Sequence, residues 1–450
     1  MPLFLPKEIG GWGRFPTQNC PLARPEKLGA LAKTALSEEA PSVIARGLGR
    51  AYGDAALSEN GVLLTERLNY FLDFDAQTGV LHAQCGVSFA QILETFVPLG
   101  WFLPVAPGTK FITLGGAIAC DVHGKNHHIE GTISGFLEEF ELLTASGEVL
   151  NCSRQQNPEI FWATLGGMGL TGVVQTAKIR LKPIETAYIV ATTKRTQNLA
   201  QTLDELEKDG ATPYTVAWID GLSSGENLGR SVLLRGKHAT KNDIKTHEFS
   251  AHPLDYHTAK KAGVPRDLPD FVLSPATVKL FNAYYYASHS DETRVLSFEP
   301  FFWPLDAIGN WNRIYGTRGF VQYQCVLPRA AACEGLTQIL ETIATSGRAA
   351  FLGVLKRHGA QNEAPLSFAL DGFSLALDLP TTPDIREFCL ALDEITLRFG
   401  GRIYLAKDAT STPQNVRKMF LRLEEFLQIK REIDPQNRFQ SSLSRRLELF

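Results

Sequence analysis

Residues 114–128 read L-G-G-A-I-A-C-D-V-H-G-K-N-H-H, and this stretch decides how the fold is interpreted. Its first half is a run of small residues that includes Gly115 and Gly116, so a ligand could lie directly against the backbone. Its second half is a cluster of polar and titratable side chains that begins at Asp121 and includes His123. The combination predicts the wall of a large planar ligand with reactive groups beside it. A packed turn followed by a solvated polar loop is the alternative, and the segment alone does not decide between them.

The length and composition indicate a globular protein with more than one domain. The 450 residues exceed what one ordinary core holds, so two or three domains are expected. Hydrophobic residues make up 44% and charged residues 21%, and no apolar run of about 18 residues predicts a membrane span. A net charge of -3 predicts no nucleic-acid partner. The N-terminus lacks a basic leader followed by an apolar stretch, so a cytoplasmic location is expected.

The cysteines and histidines do not have the spacing of disulfide frameworks or metal sites. The seven cysteines lack paired Cys-x-x-Cys spacing, and reduced, mostly buried thiols are expected at Cys85, Cys325 and Cys389. His127 and His128 are adjacent, and on an extended chain their side chains would point in opposite directions. We therefore expect no metal.

Two further glycine-rich segments are candidates for close contact between the backbone and a ligand. Residues 46–54, R-G-L-G-R-A-Y-G-D, come after a predicted strand at residues 42–45 and resemble a phosphate cradle, with backbone N–H groups and arginines facing an anion. They are not a dinucleotide fingerprint, because Tyr52 stands where a third glycine is needed. Residues 167–172 match G-x-G-x-x-G, but they follow a helical pattern and precede a strand pattern. That order is the reverse of a dinucleotide motif, so a tight helix-to-strand turn is predicted.

Hydrophobic periodicity predicts alternating strands and helices. Ser88 and Gln91 form a capping box at one helix start, and Asn157 is expected to cap another ahead of Pro158. Residues 243–269 are polar and proline-rich, which predicts a surface excursion or mobile lid. From residue 401 a strand I-Y-L-A is expected, followed by a helical stretch. Further strands are predicted at residues 80–84, 139–144, 173–181, 215–219 and 374–379, and helices near residues 199–208 and 383–398.

Taken together, the motifs resemble the decaprenylphosphoryl-β-D-ribose 2-oxidase family, whose members are flavoproteins of the vanillyl-alcohol-oxidase type. The likeness extends over nearly the whole chain, and H-G-K-N-H-H and Y-L-A-K-D are its most specific parts. Besides the segments already quoted, it includes P-G-T (107–109), F-W-A-T-L-G-G-M-G-L-T-G (161–172), N-W-N-R-I-Y-G (310–316), G-F-V-Q-Y-Q (319–324), G-G-R-I-Y-L-A-K-D (400–408) and R-R-L-E-L (445–449).

The resemblance implies an α+β protein with a two-domain PCMH-type FAD-binding fold and an α+β substrate cap domain. The FAD-binding domain would comprise residues 1–184, the cap residues 185–399, and residues 400–450 would complete the FAD-binding domain. Many relatives carry a histidine, covalently bonded to the flavin, where this chain has Arg50. A guanidinium stays protonated and is not expected to form that bond, so non-covalent FAD is expected.

The resemblance also implies which residues form the site. Lys407 is expected to handle the proton of the reacting hydroxyl, with neutralisation of the flavin or of an acidic neighbour as the alternative. His123 would orient the flavin, relay a proton or simply donate a hydrogen bond. The substrate contacts would be Lys125, Tyr315, Gln322, Gln324, Lys356 and Ser374. The cofactor contacts would be Arg46, Gly47, Leu48, Gly49, Arg50, Ala51, Tyr52, Gly108, Thr109, Thr113, Leu114, Gly115, Gly116, Cys120, Asp121, Val122, His123, Gly124, Val174 and Tyr404.

The implied reaction is FAD-dependent oxidation of the 2-hydroxyl of a polyprenylphosphoryl-β-D-ribose to the 2-keto sugar. This is the first half of epimerisation to the arabinose compound, an arabinan precursor in cell wall biosynthesis, and a separate NAD(P)H-dependent reductase would complete it. A lipid-linked substrate is compatible with peripheral contact at the inner membrane face. Phe301, Phe302 and Trp303 are candidates for that contact, with burial in the core as the alternative.

Two departures from the family leave other functions open. Ala376 stands where mycobacterial members have a cysteine and Ser374 where they have an asparagine, so the oxidised sugar or its lipid tail is not fixed by the resemblance. An alditol or sugar-1,4-lactone oxidase acting on a soluble polyol is one alternative. An inactive flavoprotein that assembles with the reductase is another.

Overall fold

The computed structural model describes residues 3–208, 210–256 and 262–450. The part before residue 185 is built from short strands and short helices joined by glycine-rich turns. Its helices are α1 (Leu28–Ala35), α2 (Phe89–Phe96), α3 (Leu114–Ala119), α4 (His127–Glu130) and α5 (Pro158–Thr164). Its strands are β1 (Leu5–Gly10), β2 (Thr17–Ala23), β3 (Ile44–Arg46), β4 (Val62–Leu64), β5 (Phe71–Asp75), β6 (Val80–Gln84), β7 (Trp101–Phe102), β8 (Leu137–Leu143), β9 (Val149–Ser153), β10 (Val173–Arg180) and β11 (Lys182–Pro183).

Two sheets of this N-terminal part bring the glycine-rich segments together. In the first sheet β1 pairs antiparallel with β2, while β2, β4 and β3 run parallel. The second sheet is antiparallel with the order β5-β6-β10-β8-β9, and α3 packs on β10. The turn after β3 reaches the start of α3 so closely that a Cβ atom added at Gly47 would lie 2.2 Å from Thr113 Oγ1. Only glycine allows that approach.

The rest of the chain forms one large antiparallel sheet and the helices packed on it. The sheet order is β15-β12-β14-β13-β17-β18-β16-β19. Its strands are β12 (Tyr188–Thr196), β13 (Tyr214–Ile219), β14 (Ser231–His238), β15 (Glu292–Ser297), β16 (Phe320–Pro328), β17 (Gly353–His358), β18 (Gly372–Pro380) and β19 (Arg402–Ile403). The helices are α6 (Leu199–Lys208), α7 (Pro275–Ser288), α8 (Phe298–Phe302), α9 (Ala332–Thr345), α10 (Ile385–Arg398), α11 (Pro413–Met419), α12 (Leu423–Ile433) and α13 (Ser442–Leu447).

Strand alternation divides the large sheet into a helix-covered face and an open face. Tyr323 and Cys325 of β16 belong to the main hydrophobic core, and the Tyr323 hydroxyl lies 2.8 Å from Thr396 Oγ1 of α10. Gln322 and Gln324 alternate with them and therefore point to the opposite face. This second face is the one that meets the N-terminal part.

After β19 the chain returns to the N-terminal part. The predicted strand I-Y-L-A ends at Ile403, because the N–H groups of Lys407 and Asp408 donate to the Tyr404 carbonyl and close a turn instead. Helix α12 then contacts α5, and the Arg438 carbonyl accepts from the Val43 N–H. The C-terminal segment thus adds an edge strand to the large sheet and also packs on the N-terminal part. The exact domain limits remain a prediction.

The α+β class and several local predictions are confirmed. Both bonds of the Ser88–Gln91 capping box are present at the start of α2. Residues 167–172 form the turn between helix α5 and strand β10, and Gly172 adopts φ +153°. The thiols of Cys85 and Cys325 are buried.

Other local predictions were wrong. Asn157 adopts φ 52° and makes no side-chain cap, because its Nδ2 donates to the Asn151 carbonyl instead. His127 and His128 lie on the short helix α4, not on an extended chain. The physical reason in both cases is a local turn that hydrophobic periodicity does not reveal.

The apolar run at Phe301, Phe302 and Trp303 lies in the core, since each side chain is buried. It is therefore not a membrane-contact patch. Of the excursion at residues 243–269, residues 257–261 lie outside the described residues. Within the rest, Asp267 pairs with Arg14 at 2.6 Å, which ties the excursion to the N-terminal part. No helix in the described ranges has the length and apolar character to cross a bilayer.

Candidate active site

A cavity of about 570 Å³ lies where the open face of the large sheet meets the N-terminal part. One side is formed by the turn after β3, residues 106–109 and helix α3, and the other by strands β13, β14, β16, β17 and β18 with helix α7. Pockets for large ligands typically have roughly 300–1,000 Å³. The cavity thus joins the glycine-rich half of the molecule to the polar face of the sheet.

The glycine-rich side fits an anionic, planar cofactor. The Nε atom of Arg50 is buried, and it has no hydrogen-bond partner within the described part of the chain. Its guanidinium stacks on the Trp12 ring at 3.8 Å. A Cβ atom added at Gly108 would meet no atom within 4 Å and would therefore project into open space. A buried cation beside a wall without side chains suits the pyrophosphate and the flat ring of FAD.

Most residues predicted to contact the cofactor line this cavity. Four do not, namely Arg46, Leu114, Asp121 and Gly124. The first three make contacts within the protein instead. The Arg46 guanidinium donates to the carbonyls of residues 10 and 56, and Leu114 is fully buried in the core. Asp121 accepts a hydrogen bond from the Asn362 amide. The lining residues from the predicted set are Gly47, Leu48, Gly49, Arg50, Ala51, Tyr52, Gly108, Thr109, Thr113, Gly115, Gly116, Cys120, Val122, His123, Val174 and Tyr404.

Two of the predicted substrate contacts, Tyr315 and Ser374, are not among the residues that line the cavity. The Tyr315 hydroxyl donates to Asp378 Oδ2 at 3.0 Å, and its ring stacks on Phe320. Ser374 Oγ lies 2.7 Å from His358 Nε2 and is 2% exposed. Both hydroxyls are therefore engaged by neighbouring side chains, and their contact with a substrate stays a prediction. Lys125, Gln322, Gln324 and Lys356 do line the cavity.

The cavity-facing polar groups come from neighbouring strands in register. Gln324 of β16 pairs with Ala376 of β18, which in turn pairs with Val354 of β17. Lys356 lies two residues after Val354 and thus points the same way, as does Gln322 two residues before Gln324. Strand register therefore presents two amides and an ammonium group side by side.

The cavity contains lysines whose pKa values are strongly lowered. Burial lowers the pKa of Lys125 to about 7 and that of Lys356 to about 8. Burial also lowers the pKa of Lys407 to about 7, and the Asp378 carboxyl partly opposes this effect. The Lys407 ammonium lies 3.6 Å from the centroid of the Tyr52 ring. A lysine with a pKa this close to neutrality can accept or release a proton during a reaction.

His123 is a neutral imidazole at this site. Burial lowers its pKa well below the usual range, and nearby Lys356 acts in the same direction. The Gln324 amide nitrogen lies 3.2 Å from His123 Nε2, so Nε2 accepts and the ring proton resides on Nδ1. Nδ1 is buried and lacks a hydrogen-bond partner in the described part of the chain. His123 is therefore a neutral hydrogen-bonding group that cannot act as an acid near neutral pH.

Sequence reasoning missed Asp378 and Trp12. Asp378 is fully buried and accepts from both Tyr315 and Gln322, and burial raises its pKa. Strand alternation could have indicated it, since it lies two residues after Ala376 on the same face. Trp12 supports Arg50, and no local pattern connects these two positions.

Comparisons with known proteins identify both the cofactor and the family. A family model described as FAD binding domain matches residues 22–153, which confirms FAD as the cofactor. A model described as D-arabinono-1,4-lactone oxidase matches residues 319–447.

The chain resembles several individual proteins. It is 38% identical to the decaprenylphosphoryl-β-D-ribose oxidase of Mycolicibacterium smegmatis over 98% of both chains. It is 31% identical to an uncharacterised protein of Streptomyces coelicolor over 81% of this chain and 100% of that protein. It is 28% identical to the L-gulonolactone oxidase of Scyliorhinus torazame over 36% of each chain. With near-complete coverage at 38% identity, the chain belongs to the decaprenylphosphoryl-β-D-ribose oxidase family and is an FAD-dependent oxidoreductase.

Proposed function

We propose that this protein oxidises the 2-hydroxyl of a polyprenylphosphoryl-β-D-ribose to the 2-keto sugar, the first half of epimerisation to the arabinose compound. The observation that carries the proposal is the set of lysines on one cavity, Lys125, Lys356 and Lys407. An anionic phosphodiester would favour the protonated forms of Lys125 and Lys356 and compensate their charge, which a neutral polyol cannot do. The relative from Mycolicibacterium smegmatis is named as an oxidase of decaprenylphosphoryl-β-D-ribose, which is a substrate of this class.

The lysines and glutamines divide the work of binding and proton transfer. Bound FAD supplies the hydride acceptor for the carbon that is oxidised. Lys407 takes the hydroxyl proton, since its lowered pKa leaves much of the amine neutral near pH 7. Lys125 and Lys356 bind the phosphate, and Gln322 and Gln324 orient the ribose hydroxyls. His123 accepts from the Gln324 amide at Nε2 and so fixes the orientation of that amide.

The FAD is held without a covalent bond to the protein at residue 50. The Arg50 guanidinium is protonated, lacks the nucleophilic nitrogen of a neutral imidazole, and is stacked on Trp12. Acid precipitation should therefore release the yellow chromophore into the supernatant. Flavin that stays with the precipitate would contradict this proposal.

A second enzyme would be needed to convert the keto sugar into the arabinose compound. An NAD(P)H-dependent reductase would complete the epimerisation. The lipid of the substrate stays in a membrane, so the enzyme would work in peripheral contact with the inner membrane face.

Anaerobic bleaching of the flavin tests the function. Polyprenylphosphoryl ribose should reduce the flavin and abolish its visible absorbance, whereas free alditols and sugar-1,4-lactones should not. The lactones are included because residues 319–447 match a lactone-oxidase model. Bleaching by the free sugars in place of the lipid-linked ribose would reassign the substrate, and no bleaching by any of them would indicate an inactive partner protein.

A further inference from the structure

Helix α7 carries an exposed apolar surface, which we call the α7 face and define as Phe271, Leu280 and Tyr284. Their side chains are 73%, 74% and 71% exposed, respectively. Leu280 and Tyr284 are four residues apart and thus lie on the same side of the helix, with Phe271 just before its start. Large exposed apolar groups that cluster in this way mark interaction surfaces.

The opposite side of the helix is fixed to the body of the protein. Asn282 is buried, and its amide donates to Asp220 Oδ1 at 2.7 Å. The Tyr285 ring packs on Trp218 at 4.6 Å, and the Phe281 ring on Phe351 at 5.2 Å. These contacts set the rotation of α7 and leave the α7 face directed outward.

The cavity reaches the surface beside the α7 face. Phe281 and Tyr285 line the cavity, and Phe281 is also 40% exposed. Trp218 and Phe351 line the same region, so this end of the cavity is mainly aromatic, with His289 beside Tyr285. A chain-like apolar group extending from the site would leave the protein at α7.

We infer that the α7 face docks on a lipid bilayer and that the polyprenyl tail of the substrate enters the cavity between helix α7 and the sheet. This inference rests on the proposed function, which places a lipid-linked ribose in the cavity. Residues 271–290 contain Lys279 and no acidic residue, and Asp270 and Asp291 stand at the two ends of this segment, so the contact that we expect with the bilayer is mainly apolar. Exposed aromatic and aliphatic side chains are typical of contact with the membrane interface.

Vesicle sedimentation of the FAD-loaded, full-length enzyme tests the docking surface. The vesicles contain equal parts of phosphatidylglycerol and phosphatidylcholine. The double substitution Leu280→Gln with Tyr284→Gln should lower the bound fraction by about tenfold or more, because it removes two large apolar contacts without adding charge. Leu421→Gln is the matched control, since Leu421 is 91% exposed on the turn between α11 and α12, and it should leave binding unchanged.

A second readout separates docking from catalysis. Flavin bleaching is followed with substrate embedded in the vesicles and with a water-soluble short-chain analogue. In the Leu280 and Tyr284 double variant, the embedded substrate should reduce the bound flavin about tenfold more slowly than in wild type. The analogue should reduce it at the wild-type rate. Neither side chain lines the cavity, so only delivery should change.

Several outcomes would overturn the inference. Wild-type enzyme that does not bind the vesicles, or a double variant that binds them as well as wild type, excludes membrane docking by this face. A wild-type dimer that the double variant converts to a monomer, without vesicle binding, would assign the face to a second copy of the chain. If neither form of the substrate bleaches the flavin of the wild-type enzyme, the proposed function is wrong. Vesicle sedimentation then still decides whether the α7 face binds a bilayer.

Discussion

Arg446 is expected to be the side chain that holds the C-terminal segment in register with the FAD-binding half. Its Nε and Nη2 donate to the two oxygens of Asp54 at 2.9 and 2.7 Å, and its Nη1 lies 2.9 Å from Asp408 Oδ2. Asp54 ends the glycine-rich segment after β3, and Asp408 directly follows Lys407. Burial opposes the charge of Arg446, yet the two carboxylates raise its pKa above the ordinary value. The guanidinium therefore stays charged.

Replacing this guanidinium should be costly. The Asp54 and Asp408 side chains are 5% and 3% exposed, so Arg446→Met would leave two buried carboxylates without their cation. Breaking a buried ion pair by removing one partner typically costs about 3–5 kcal/mol. The substitution should also weaken FAD binding, since the segments that it joins both line the cofactor side of the cavity.

Urea unfolding and flavin content measure these two effects. Arg445→Met is the matched control, because Arg445 makes one 2.8 Å bond to Ser42 and a 3.8 Å contact with the half-exposed Glu59. The control should lose about 1 kcal/mol or less. If Arg446→Met costs no more than the control and keeps its FAD, the ion pairs do not hold the two segments together.

Three further changes test the site itself. Lys407→Ala should keep the yellow colour but slow anaerobic flavin reduction by ~10²-fold, the scale of a positioned acid-base group, and an unchanged rate would remove Lys407 from the mechanism. If the neutral amine takes the proton, the wild-type reduction rate should rise with pH through about 7. Asp378→Asn removes a carboxyl that raises the pKa of Lys407, so the midpoint of this profile should move to lower pH, and a stationary midpoint would show that the two groups do not interact. Gly108→Val should project methyl groups into the cavity and reduce the flavin-to-protein absorbance ratio without changing the far-UV circular dichroism, whereas full flavin content would place the cofactor elsewhere.

The sequence predicted features that depend on a few consecutive residues. The capping box at Ser88 and the helix-to-strand turn at residues 167–172 are local features. In the capping box, side chains bond to backbone groups three residues away, and in the turn, glycine permits the positive φ angle that the backbone adopts. The family motifs also predicted the cofactor and the α+β class. Most of the predicted cofactor contacts do line one cavity.

The sequence left the answer open where distant parts of the chain decide the outcome. Tyr315 and Ser374 are predicted substrate contacts, and in the structure their hydroxyls bond to Asp378 and His358 and are not among the groups that line the cavity. Phe301 looked equally suitable for a membrane patch or for the core, and packing of α8 on β12 and β15 placed it in the core. The exposed face of α7 was not visible in the sequence, because exposure depends on which neighbours cover a side chain.

By itself, the sequence therefore determined which backbone segments can approach a ligand closely and which chemical groups are available. The tertiary structure decided which of those groups share a cavity and how they are charged. Lys407 and Asp378 are 29 residues apart in the chain, yet each shifts the pKa of the other. The physical reason is that glycine conformations and helix caps are short-range properties, whereas desolvation and charge interactions arise only when folding brings distant residues together and excludes water.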